Sequence, residues 1–391
     1  MCSQNNKNMK ICAIIAEFNP FHNGHKYIIE RAKEMGFTHV VVIMSGNFVQ
    51  RGEPAIFSKK FRVQAALANG VDLVVEMPCV WALSSAEKYA EAGVYLADAL
   101  GCVNSLVFGS ECGDLKKLSD VEQALREPKF KEMLQNNLKS GITFAKAREQ
   151  AISALLPNED VSGILSKGNN ILGIEYIKAI KNLNSNMTPL TFQRKEDFKS
   201  ASGIRSLIKK DDKTYLEYIP NNIGFSELPK DIIWGEKGII SVLKSADLED
   251  LSKLPDISEG LENKIYNALC KCDNLENLFN LIKSKRYTMS RIKRIIMCAY
   301  LGIDKKTQSS RPPYIRLLGA TTEGLEILNV MKQTAKLPIV SRFLDFSNEE
   351  HFSKEVFNIE CRATDLYGVF SEKLKIIESE KKFKFIRQEH K

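Results

Sequence analysis

Residues 11–32, ICAIIAEFNPFHNGHKYIIERA, constrain this chain more than any other segment. The apolar, largely β-branched run over 11–16 predicts a buried parallel strand. It breaks at Asn19-Pro20, and a helical pattern carried by Tyr27, Ile28, Ile29 and Ala32 starts just after Gly24. Between them lies His22-Asn23-Gly24-His25, with two of the chain's five histidines. A strand, a tight turn and a helix N-terminus form an anion site, because unpaired N–H groups and the helix dipole both face the ligand. Imidazoles beside such a site can donate hydrogen bonds to phosphoryl oxygens as their charge grows during transfer. The segment therefore predicts phosphate chemistry.

The alternation of strands and helices continues. Strands are expected at 40–44, 71–76, 105–108 (ending at Gly109-Ser110-Glu111) and 188–192, and helices at 58–68 and 86–100. Residues 114–184 read as mostly helical, including 171–180; after 210 the strand signals thin and the tail reads as mainly helical. Repeated strand–helix units imply an α/β fold, a Rossmann-like doubly wound parallel sheet with right-handed crossovers and a mainly helical C-terminal domain. Ligands in such sheets lie beyond the carboxyl ends of the strands. At 391 residues the chain is long for one core, and the expected division is 9–210 and 211–391.

Apolar content of 44% and charged content of 27% are those of a globular protein. No apolar run approaches the roughly 20 residues of a membrane span. Residues 1–10 are polar and lack the apolar core of a signal peptide, which suggests a cytoplasmic protein. The first eight read as a ragged extension, with Met9 as an alternative start. The nine cysteines are scattered, with no C-x-x-C pair, and are expected to be reduced thiols. Cys12 and Cys102 are expected in the core.

His22-Asn23-Gly24-His25 resembles the H-x-G-H signature of the nucleotidylyltransferase superfamily. The longer string Glu17-Phe18-Asn19-Pro20-Phe21-His22-Asn23-Gly24-His25 resembles one branch of it, the bacterial tRNA(Met) cytidine acetate ligases. That likeness implies an ATP site built from Ile15, Ala16 and the whole of this string, with Gly109, Asn170 and Arg194 reaching the adenosine. A turn for Gly109, capping for Asn170 and a solvated charge for Arg194 are the plain alternatives. Lys199-Ser200-Ala201-Ser202-Gly203-Ile204-Arg205 is similar to the superfamily's S-S-T-x-I-R segment, which implies that Ser202 and Arg205 meet the triphosphate. An N-cap serine, free N–H groups and a guanidinium fork suit phosphates, although Ala201 and Gly203 replace the usual hydroxyl residues. His22 and His25 would bind the phosphates, with Lys26 and Arg205 as further cations.

The glycine-rich segment 45–54 follows the second strand and carries Arg51. It reads as an active-site loop that closes over the substrates, or else as an ordinary polar crossover. The chain has no Walker-type loop and no G-x-G-x-x-G after the first strand, which argues against a nicotinamide enzyme. It has no clustered metal ligands either, so Mg2+ is expected only as a companion of the triphosphate.

Between Leu281 and Arg316 there are ten Lys or Arg against one acid, Asp304, a local excess larger than the whole chain's +8. Tyr287, Tyr300 and Tyr314 are interleaved with these bases. The pattern reads either as a footprint for a phosphate backbone with rings for base stacking, or as a solvated face whose tyrosines pack inward. The expected RNA contacts are Arg51, Lys283, Lys285, Arg286, Arg291, Lys293 and Arg294. The resemblance then implies an ATP-dependent ligase that activates acetate as acetyl-adenylate and acetylates N4 of the wobble cytidine of elongator tRNA(Met), releasing AMP and pyrophosphate. A small-metabolite adenylyltransferase and a non-catalytic ATP- and RNA-binding protein are the alternatives. The sequence leaves oligomeric state open.

Overall fold

The apolar run at 11–16 forms β1 (Ile11–Ala16), buried along its whole length, and the rest of the fold is layered around it. The computed structural model describes residues 9–195, 197–224, 227–258, 260–346 and 349–389; the expected N-terminal extension, residues 1–8, lies outside them. In chain order follow α1 (Asn23–Glu34), β2 (His39–Ser45), β3 (Phe48–Val49), β4 (Glu53–Pro54), α2 (Lys59–Leu67), β5 (Leu73–Met77), α3 (Cys79–Ala82), α4 (Ala86–Ala99) and β6 (Ser105–Ser110). Then come α5 (Leu115–Arg126), α6 (Pro128–Lys139), α7 (Phe144–Leu155), α8 (Val161–Leu165), α9 (Gly168–Asn182), β7 (Thr188–Gln193) and α10 (Ala201–Lys209). The second half runs α11 (Glu236–Ser245), α12 (Leu248–Ser252), α13 (Leu261–Leu269), α14 (Leu275–Ile282), α15 (Met289–Leu301) and α16 (Lys305–Ser309). It ends with β8 (Ile315–Thr321), α17 (Thr322–Thr334), β9 (Ile339–Val340), α18 (His351–Tyr367) and β10 (Ile386–Gln388).

The strand order is β10-β8-β5-β2-β1-β6-β7, with β9 on β8. β1 pairs in parallel with β2 on one side and β6 on the other, so the order of winding reverses at β1. In a doubly wound sheet that reversal opens a crevice at the carboxyl ends of the strands. Alternate residues of β1 feed two cores: Ala13 and Ile15 face one layer, Cys12, Ile14 and Ala16 the other.

The expected α/β sheet is present, but it does not stop at residue 210. β8 adds antiparallel to β5, and β10 adds parallel to β8. The tail is mainly helical from α11 to α16 and then returns to the sheet. β8 reads poorly as a strand because Arg316 and Gly319 interrupt its apolar run. Gly319 is required there: a Cβ would stand 2.8 Å from the Ile386 carbonyl oxygen of β10.

Arg316 is buried within a charged cluster that joins the two halves of the chain. Lys59 Nζ lies 2.6 Å from Glu76 and 2.6 Å from Glu380, and Arg316 Nε lies 3.3 Å from Glu76. Glu360 accepts a hydrogen bond from the Cys79 backbone N–H, and Thr364 donates to Glu380. Three carboxylates face two cations, and burial with Glu76 pushes Glu360 up to about 7, while Lys59 and Arg316 hold Glu380 down at about 2. The cluster therefore reaches neutrality when Glu360 carries a proton.

The eight described cysteines are unpaired thiols. Cys12 is core, as expected; Cys102 differs, lying half-buried in the turn before β6. No helix among the described residues is long and apolar enough to cross a membrane.

Candidate active site

A cleft of about 590 Å³ opens at the reversal point, within the size range of small-ligand sites. The end of β1 forms its floor, from Ile14 to Asn19, and Phe108 and Gly109 of β6 one wall. The first turns of α1, α9 and α10 converge on it, as do the hairpin tip Gln50-Arg51, Arg194 after β7, and Ser290 and Arg294 of α15. Gly109 lies within β6 rather than after it; a Cβ there would stand 3.3 Å from Arg194 Cγ.

His22 is the N-cap of α1, and its Nδ1 accepts from the Gly24 N–H at 3.0 Å. His25 Nδ1 in turn accepts from the His22 N–H at 3.2 Å, closing a reciprocal capping box made of two imidazoles. The rings stack with centroids 3.7 Å apart and 25° between planes. His25 also meets Phe18 edge-on at 4.8 Å and Phe21 at 5.6 Å. Phe18 itself takes the left-handed φ of 48°, which a bulky residue rarely adopts, and its ring is 1% exposed in this aromatic nest. Gly24 has a steric reason: a Cβ would stand 2.9 Å from His22 Cε1.

Burial, with Arg194 and Arg205 nearby, pushes His22 down to about 3. Burial, His22 and Arg194 hold His25 well below the ordinary histidine range. Both rings are therefore neutral near pH 7. Because each Nδ1 accepts a backbone hydrogen, the ring proton sits on Nε2, and both rings face the cleft as donors. This is the preorganised arrangement that stabilises developing charge on a phosphoryl oxygen.

Arg205 of α10 donates to the Asn19 carbonyl at 2.7 Å and borders the cleft, while Ser200 caps α10 by accepting from the Gly203 N–H at 3.2 Å. Ser202 stands in the same first turn, on the cleft. Of the other expected ATP contacts, Pro20, Phe21, Asn23 and Asn170 do not line the cleft. Asn23 donates to the Glu217 carbonyl at 3.1 Å, and Phe21 supports His25 from behind. Asn170 is not a helix cap: its Oδ1 accepts from the backbone N–H of Glu111 and Cys112, at 2.9 and 3.1 Å, and so braces the loop after β6. Glu111 supplies the cap to α9, accepting from the Asn170 N–H at 2.9 Å. Lys26 is also outside the lining; its ammonium lies 3.8 Å from Glu30.

The segment expected as a closing loop is an ordered hairpin of β3 and β4, whose Phe48 and Val49 are fully buried. Glu53 pairs with Lys293 of α15, and at Gly52 (φ 75°) a Cβ would stand 2.5 Å from the Arg294 backbone nitrogen. Its tip is thus already seated over the cleft.

The basic stretch is divided by the fold. Lys283, Lys285 and Arg286 are exposed in the turn between α14 and α15, and Arg51 is exposed at the hairpin tip that lines the cleft. Arg291 instead donates to the Asp256 carbonyl at 2.6 Å, and Arg294 stands 3.6 Å from the Asp256 carboxylate. Tyr287, Tyr300 and Tyr314 are all buried, so the rings pack inward and are not available for base stacking.

Sequence reasoning missed Arg62. It is wholly buried and donates to the carbonyls of Phe57 (3.0 Å), Glu17 (2.6 Å), Ser45 (2.9 Å) and Gly46. It thereby staples the ends of β1 and β2 that carry the site. The signal was available: Lys59 and Arg62 sit with Val63 and Ala66 on one helical stripe that is otherwise apolar.

A cleft at the reversal point with a paired-histidine helix start defines the class. The sequence profile of the HIGH Nucleotidyl Transferase family matches residues 9–382, and the chain belongs to that family. Within it, the chain is similar to proteins described as tRNA(Met) cytidine acetate ligase. The one from Thermoanaerobacter sp. (strain X514) is 41% identical over 387 residues, covering 92% of this chain and 95% of the relative. The one from Clostridium acetobutylicum is 38% identical over 397 residues, covering 93% and 96%. The crystal structure of Thermotoga maritima TmcAL bound with alpha-thio ATP has a TM-score of 0.89 at 30% identity, covering 97% of this chain and all of that one.

Proposed function

We propose that this protein is an ATP-dependent ligase that acetylates the N4 amine of the wobble cytidine of elongator tRNA(Met) in the cytoplasm. The reading is carried by one observation. The cleft floor that holds two neutral, Nε2-protonated histidines among four arginines belongs to a chain that matches an ATP-analogue-bound relative over nearly its whole length.

In the first step acetate attacks the α-phosphate of ATP, giving acetyl-adenylate and pyrophosphate. That step needs no protein nucleophile, only alignment and charge stabilisation. His22 and His25 donate to phosphoryl oxygens; Arg205 and the first turn of α10, with Ser202, meet the triphosphate; Gly109 and Arg194 border the nucleoside. Asn170 acts through the loop it braces. No group of three or more His, Cys, Asp or Glu that could hold a metal is found among the described residues; an Mg2+ ion would arrive as a companion of the triphosphate. In the second step the cytidine amine attacks the acetyl carbonyl and AMP leaves. An anticodon loop can deliver an unpaired base to the cleft, and the exposed Arg51, Lys283, Lys285 and Arg286 are its proposed backbone contacts.

The test uses purified protein, ATP, radiolabelled acetate and unmodified tRNA. Label in tRNA with one AMP per acetyl group is the expected result. AMP formed with a small acceptor and no label in RNA would make the protein a metabolite adenylyltransferase. ATP binding without turnover would make it a binding protein.

A further inference from the structure

Glu17 is the sole carboxylate among the described residues lining a cleft shared by Arg51, Arg194, Arg205 and Arg294. A site for polyphosphate is weakened by an anion on its floor, so this carboxylate calls for a chemical reason. The ligase reading supplies one, because its second step releases a proton. When N4 of cytidine attacks the carbonyl carbon of acetyl-adenylate, the C–N bond forms and the C–O bond to the α-phosphate breaks. AMP leaves with that electron pair on its phosphate oxygen, and the nitrogen must give up one hydrogen.

The other cleft side chains offer no comparable acceptor. Both histidines already carry a proton on Nε2 and use Nδ1 for backbone hydrogens. The arginines have no acceptor atom. Burial raises the Tyr89 and Tyr176 phenols, so they stay protonated. We propose that Glu17 is the general base of the transfer step, taking the N4 proton of the attacking amine and passing it to solvent. The inference rests on the ligase reading above.

The surroundings of Glu17 fit the task. Its Oε1 accepts from the Gln50 N–H at 2.9 Å, which fixes the carboxylate against the hairpin tip. The charges facing it are Arg51 from the hairpin, Arg205 from α10 and Arg62 from α2, with Tyr89 of α4 and Tyr176 of α9 nearby. Burial pushes its carboxyl above the usual range against the pull of those arginines, in the direction that makes a carboxylate a better proton acceptor. Gln50 and Arg51 both line the cleft beside Glu17.

The substitution Glu17→Gln separates a base from a brace, because an amide oxygen can still accept from Gln50 but cannot take a proton. Single-turnover transfer of labelled acetyl to tRNA is followed beside acetate-dependent exchange of pyrophosphate into ATP. The expected result is a loss of transfer of about 10²- to 10⁴-fold, larger than any loss of exchange. In the wild type, transfer should rise with pH through one group above the ordinary carboxylate range and then level, and the variant should lack that rise. Equal transfer by variant and wild type overturns the role of Glu17, as does an equal loss of both steps with an unchanged pH profile. If Glu17→Gln fails to fold, the wild-type profile decides, and a flat one overturns the proposal. A wild type that leaves tRNA unlabelled overturns the ligase reading as well, which distinguishes the two failures.

Discussion

His22 and His25 stack 3.7 Å apart and exchange roles with the backbone of their own helix start, each Nδ1 accepting an N–H of the segment that carries the other. The pair caps its own helix and lines the cleft, and its neutrality has a consequence for stability. His22 lies at about 3 in the folded chain against an ordinary 6.5. Between those values the unfolded chain binds the extra proton, so stability falls as pH drops from about 6.5 toward about 3 and is unaffected by this group above 6.5. The full loss from His22 is on the order of 5 kcal/mol. Urea melts of wild type and His22→Asn at about pH 7.5 and about pH 5 should show a smaller acid loss in the variant. Equal losses would refute the neutral assignment.

Gly24→Ala should fold and work poorly. Its Cβ would meet the His22 ring at 2.9 Å, so the ring must turn away from the cleft. Removing one preorganised donor costs about 10²- to 10³-fold in kcat. Pyrophosphate exchange is the assay, and near-normal exchange would show that His22 is not held by this contact.

Arg62→Met should destabilise the chain by about 3–5 kcal/mol, because four buried carbonyls, including those of Glu17 and Ser45, lose their donor. The midpoint of urea unfolding measures this. A loss under about 1 kcal/mol would mean that water or Lys59 takes over the carbonyls.

Glu360→Gln should stabilise the protein on the alkaline side. Glu360 sits at about 7 against an ordinary 4.5, so between those values the folded chain holds the extra proton and wild-type stability falls as pH rises. The amide avoids that loss, which is complete above about pH 7. Melts at about pH 6 and about pH 8.5 should diverge between the two proteins; parallel curves would place the proton elsewhere in the cluster.

Lys285→Ala and Arg286→Ala should weaken tRNA binding and each lower the salt dependence of binding by about one unit of slope. Filter binding across a salt series reads both quantities. An unchanged slope would remove the 283–286 turn from the RNA path.

The strand, turn and paired-histidine helix start were legible in the sequence because their parts are local. A β-branched run, a break at Asn19-Pro20 and a glycine between two histidines act within fifteen residues, and the capping box closes inside four. Gly24 is readable in the same way, since its neighbour is His22. The tertiary structure decided what depends on distant partners. The basic stretch of 281–316 looked like one face, yet Arg316 is drawn inside by Glu76 and Glu380, Lys293 by Glu53 and Arg294 by Asp256. β8 could not be read from residues 315–321 alone, because its buried arginine is paired with a carboxylate from β5 and another near the C-terminus. Hydrophobic period and turn chemistry act over a few residues and survive in the sequence. Charge burial is set by partners that only the folded chain brings together.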